Sequence, residues 1–89
     1  MFPLGDIRIT AAANELLHDA EVNPVLLLSR HERGEWGEMS DEDRAANGRA
    51  LTDGGRLVSR YKVMRPALHV YVITEADRSA TTILLPSEY

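Results

Sequence analysis

The stretch that decides the fold is Arg56-Leu-Val-Ser-Arg-Tyr-Lys-Val63, Met64-Arg-Pro-Ala67, Leu68-His-Val-Tyr-Val-Ile-Thr74, Glu75-Ala-Asp-Arg-Ser-Ala80 and Thr81-Thr-Ile-Leu-Leu85. In its first segment Leu57, Tyr61 and Val63 alternate with Arg60 and Lys62, the period-two pattern of a strand with one wet face. Leu68–Thr74 is apolar on both faces and rich in β-branched residues, as an interior strand must be. Residues 81–85 form a third strand stopped by Pro86. Met64–Ala67 and Glu75–Ala80 are short and turn-like, so these consecutive strands are predicted to pair antiparallel.

Upstream the period changes. Leu4–Ile9 reads as a short strand, after which Thr10 caps a helix over residues 11–20, with Ala13, Leu16, Leu17 and Ala20 on one face. Asn23-Pro24 supplies an N-cap and a first helical residue for a second helix through His31, because the N–H that proline lacks has no intrahelical partner there. The apolar run Val25–Leu28 predicts deep burial of that helix. Glu32–Met39 has no period and carries Gly34 and Gly37 around Trp36, so it reads as a loop. Ser40-Asp-Glu-Asp43 resembles a capping box and opens a third helix that Gly54-Gly55 ends. The predicted fold is therefore α+β, one domain spanning residues 1–89, in the order β-α-α-α-β-β-β, with an antiparallel sheet covered by helices on one face.

Composition narrows the chemistry. The 89 residues contain no cysteine, which removes disulfides and thiolate metal sites and suits a reducing compartment. The opening Met-Phe-Pro-Leu-Gly-Asp has no basic start, and purely apolar runs stop at about four residues, as in Val25–Leu28, so neither a signal peptide nor a membrane span is expected and the setting reads as cytoplasmic. A formal charge of −4 argues against direct binding of nucleic acid through its phosphates.

That charge is unevenly placed. Glu32, Glu35, Glu38, Asp41, Glu42 and Asp43 face the single base Arg33 in a twelve-residue window of net −5, while the other 77 residues carry +1. Arg56, Arg60, Lys62 and Arg65 form an acid-free stretch downstream. Such a window can present a dense negative surface to a basic partner, in the manner of a phosphate backbone. It can also serve a helix start and a solvated loop. Trp36 inside it is either an exposed anchor for a partner or a plug in a small core, and the need of a small domain for aromatic area favours the core.

Catalytic constellations are thin. His31 with Glu32, Glu35 and Glu38 lacks a second histidine at helical spacing, so no metal or other cofactor is expected. As a histidine in the last turn of a helix, His31 is expected to suit the negative end of the dipole as a cation. There is no nucleophile elbow and no phosphate-cradling glycine loop. Glu75, Asp77 and Arg78 read as a tight turn in which Asp77 bonds its own backbone two residues on. No catalytic residue is assigned. The alternatives are a small metal-dependent or phosphate-handling enzyme built on His31, Glu75, Asp77 and Arg78, or a self-associating accessory module in which the basic strand of one copy meets the acidic loop of another.

Taken together, Arg30-His31, Gly34-Glu-Trp-Gly37, Glu42-Asp43, Asn47, Gly55-Arg-Leu57, Ser59, Tyr61, Ile73-Thr-Glu-Ala-Asp-Arg-Ser79, Thr81-Thr-Ile-Leu-Leu-Pro86 and Glu88-Tyr89 resemble a family of short proteins encoded on plasmids and other mobile elements of proteobacteria. The chain departs from that pattern at Glu35, Ala11 and Tyr71, where aspartate, proline and tryptophan are usual. The resemblance implies an accessory gene on mobile DNA and supplies no catalytic or binding residues. Small acidic proteins of that setting, such as anti-CRISPR and anti-restriction proteins, are frequently non-enzymatic inhibitors. The expectation is a protein-binding inhibitor of a bacterial nucleic-acid-directed defence complex, with Glu32, Glu35, Trp36, Glu38, Asp41, Glu42 and Asp43 contacting a basic surface of that complex.

Overall fold

The computed structural model describes residues 2–64 and 68–89; of the predicted turn Met64–Ala67, Met64 ends a strand and residues 65–67 lie outside the described residues. The chain forms β1 (Asp6–Ile9), α1 (Ala11–Asp19), α2 (Pro24–Glu32), α3 (Asp41–Asp53), β2 (Leu57–Met64), β3 (Leu68–Thr74) and β4 (Ala80–Leu84), followed by one 3-10 turn at Pro86–Glu88. The order β-α-α-α-β-β-β is the one the periodicity predicts.

All three predicted caps form. Thr10 Oγ1 accepts from Ala13 N–H at 3.1 Å, Asn23 Oδ1 from Val25 N–H at 2.9 Å, and Ser40 Oγ from Asp43 N–H at 3.1 Å. Each satisfies a backbone donor with no intrahelical partner. Gly54 ends α3 in the left-handed conformation at φ 84°.

The sheet runs β1-β4-β3-β2. β3 is antiparallel to both β2 and β4, but β1 pairs with β4 in parallel, so the sheet is mixed rather than wholly antiparallel. Short turns dictate direction only between strands adjacent in sequence. The partner of β1 follows three helices later and is free of that rule.

Register places Ile9, Ile83, Val72, Val70, Ser59, Tyr61, Thr74, Thr81 and Leu57 on one face of the sheet. Ala13, Leu17 and Leu27 from the first two helices pack there against Tyr61, Val70, Val72 and Ile83. A second cluster joins Phe2, Trp36, Ala50 and Leu57. The expected deep burial of the Val25–Leu28 run is corrected by the structure: Leu27 is buried, whereas Val25 and Leu26 are 63% and 62% exposed. A helix turns by about 100° per residue, so one lying on a sheet cannot bury four consecutive side chains.

Candidate functional site

The acidic segment is held against the outer edge of β2, the strand that carries Arg60 and Lys62. A strand at the end of a sheet leaves one row of backbone groups unpaired. Here that row is filled at Val58 and Arg60. Asn47 of α3 accepts from Val58 N–H at 3.1 Å and donates through Nδ2 to Val58 O at 2.8 Å. Two residues on, Arg60 N–H donates to Trp36 O at 2.9 Å, and Glu38 N–H donates to Arg60 O at 2.7 Å. Gly37 thus forms a parallel bridge with Arg60. The loop and the basic strand therefore meet within one chain.

Gly37 makes this approach possible. It sits at φ 80°, and a Cβ built there would lie 2.2 Å from Arg60 O, far inside contact distance. Arg44 adds two ties across the loop, to Met39 O at 3.2 Å and Gly37 O at 2.5 Å.

The seven predicted contact residues fall into different environments. Trp36 is only 7% exposed and packs with Phe2 and, edge-on, with His31, so it is part of the core rather than a surface anchor. Glu35 is exposed but held by Arg33 at 2.8 Å and Arg30 at 3.6 Å. The hydrogen bond from Arg33, then the charges of Arg33 and Arg30, keep its carboxyl below the usual range. Glu32 lines a separate groove with Leu4, Ile7 and Val25. Glu38, Asp41, Glu42 and Asp43 are exposed, and among the described residues the side chains of the last three have no hydrogen-bond or ion-pair partner. Their negative charge suits the positive end of α3.

Glu38 and Asp43 also rim a cavity of about 540 Å³ between α3 and the solvent-facing side of the sheet. Arg56, Arg60, Tyr71 and Tyr89 line it, with the two tyrosine rings 4.9 Å apart. Arg56 donates to Tyr89 Oη at 3.0 Å. Arg60 Nε is buried with no hydrogen-bond partner among the described residues.

The residues of the enzymatic alternative are engaged elsewhere. His31 is fully buried, with Nδ1 2.5 Å from Ser59 Oγ and Nε2 2.9 Å from Thr74 Oγ1. The chain continues from Thr74 Oγ1 to Thr81 Oγ1 at 2.7 Å and from Thr81 Oγ1 to Leu4 O at 2.7 Å. A carbonyl only accepts, so Thr81 donates to Leu4, Thr74 to Thr81 and His31 Nε2–H to Thr74. Nδ1 is left to accept from Ser59. Burial drives the His31 pKa down to about 4, so the imidazole is neutral and not the cation expected at a helix end.

Asp77 accepts from Ser79 N–H at 2.9 Å, closing the predicted turn. The Arg78 guanidinium donates to the carbonyls of Gly55, Ala50, Ala76 and Glu75. Among the described residues no three His, Asp or Glu side chains gather as metal ligands, and no helix is long and apolar enough to cross a membrane. The Asn47 clasp and the Ser59–His31–Thr74–Thr81 chain escaped sequence reading, since each joins residues that only the packing of helices against the sheet brings together. Comparison of the chain with protein-family models, with curated proteins and with solved structures gives no match in any of the three.

Proposed function

We propose that the chain is a non-enzymatic, cytoplasmic, protein-binding inhibitor of a bacterial nucleic-acid-directed defence complex. Its acidic surface occupies a basic, nucleic-acid-binding surface of that complex. The observation that carries this reading is the set Glu38, Asp41, Glu42 and Asp43, exposed on a segment that Asn47 and Gly37 bind to the β2 edge and that Arg44 ties across its loop. Charges held in fixed positions complement a partner without first losing conformational freedom. The contact set is narrower than the seven residues read from sequence: Glu35 is neutralised within the fold, Glu32 lies in another groove and Trp36 is in the core. The resemblance to mobile-element proteins supports the choice of partner.

The test is a gel-shift assay of bacterial nucleic-acid-targeting complexes with the chain added. Inhibition by the wild type is expected to weaken as salt rises, since exposed charges are screened beyond about 8 Å at physiological ionic strength. A folded Glu38→Gln, Asp41→Asn, Glu42→Gln variant is expected to lose inhibition. Equal inhibition by that variant would sink the reading.

A further inference from the structure

We infer that the chain forms a two-fold dimer through the free edge of β1, antiparallel and centred on Ile7. The two edges of the sheet are treated differently. β2 is covered at Val58 and Arg60 by Asn47 and by residues 36–38, whereas among the described residues β1, at the other end, has only β4 beside it. Asp6 N–H donates to Ser79 O and Thr10 N–H to Ile83 O, so even-numbered residues here direct their backbone groups toward β4. Ile7 therefore directs its N–H and C=O outward, where a second strand can pair with them.

The sequence of β1 selects the partner and the register. A two-fold axis at Ile7 lets the two copies exchange N–H···O=C bonds at that residue. It also sets Asp6 opposite Arg8 of the other copy, twice. Both side chains are exposed, and among the described residues neither has a partner in its own chain. Axes at Asp6 or Arg8 would place like charges opposite each other, which is unfavourable. Charge complementarity thus singles out a second copy of this chain as the occupant. The apolar surroundings fit as well: Ile7, 45% exposed, shares a groove of about 330 Å³ with Leu4, Val25 and Leu28. Isologous pairing covers that groove on both copies at once. Glu32 also lines that groove, but the interface lies at the opposite end of the sheet from Glu38, Asp41, Glu42 and Asp43 and is independent of the proposed inhibitor function.

Sedimentation velocity from micromolar to sub-millimolar concentration tests it. The wild type is expected to shift from monomer to dimer. Arg8→Asp, which sets Asp6 against a second aspartate, raises the dissociation constant by at least about tenfold, and the swap Asp6→Arg with Arg8→Asp restores it. Amide hydrogen exchange locates the contact: the Ile7 amide slows with concentration while Asp6 and Arg8, bonded to β4, do not change. A wild type that stays monomeric, an Arg8→Asp protein that dimerises as tightly, or a dimer with an unaltered Ile7 amide overturns the proposal. The exchange measurement needs only the wild type and decides the matter even if Arg8→Asp fails to fold.

Discussion

Ser59 Oγ donates to His31 Nδ1 at 2.5 Å in a site closed to solvent, and that contact begins a one-way chain of hydrogen bonds ending at Leu4 O. It ties α2 to β2, β3, β4 and the N-terminal segment. A buried polar network of this kind is stabilising only while every member is satisfied.

The imidazole makes stability pH-dependent. His31 stays neutral in the folded chain down to about pH 4, whereas the ordinary imidazole takes its proton near 6.5. Between those values the unfolded state binds more protons, so stability is full above pH 6.5 and declines as pH falls toward 4, by about 3 kcal/mol in all. Asp77 and Glu88 extend the decline below the carboxylate range, both being held low by hydrogen bonds, Asp77 from Ser79 and Glu88 from Leu85 N–H and Thr10. Urea unfolding at a series of pH values measures it. His31→Gln is expected to be less stable at pH 7 and to lack the slope between pH 6.5 and 4.

Arg78 has a strained backbone, with φ 62°, and a guanidinium that binds the α3 carbonyl of Ala50. Arg78→Ala removes the bonds and keeps the strain, while Arg78→Gly removes both. Alanine is expected to cost about 1 kcal/mol more than glycine, with both less stable than the wild type in denaturant titration.

Asn47→Ala uncovers the N–H and C=O of Val58 at the β2 edge. A loss of about 2 kcal/mol is expected, read from the shift in denaturation midpoint. Little or no shift would mean that solvent satisfies the edge as well as Asn47 does.

Gly37→Ala puts a methyl against Arg60 O and should cost at least about 2 kcal/mol while lifting the loop from β2. Trp36, the single tryptophan, reports the change as a red shift in its emission. An unshifted spectrum at unchanged stability would contradict the pinned loop.

Glu21 follows α1 in the left-handed conformation at φ 56°. Glu21→Gly is expected to stabilise the chain by about 0.5–1 kcal/mol in the same titration, since glycine enters that region without a Cβ penalty.

Local chemistry was enough to place the helix starts at Thr10, Asn23 and Ser40, the stop at Gly54 and the interior position of Leu68–Thr74. Caps depend on neighbours within a few residues, and a strand buried on both faces must be apolar on both. The acidic window was equally plain as a count of charges. Its division was not: the pairing of Glu35 with Arg33 and Arg30, and the separation of Glu32 from Glu38, depend on where α2 ends in space. The parallel direction of β1, the burial of His31 and the contact of Gly37 with Arg60 were decided by tertiary structure alone. Each joins segments more than twenty residues apart, and no local pattern records which backbone groups a distant strand will meet.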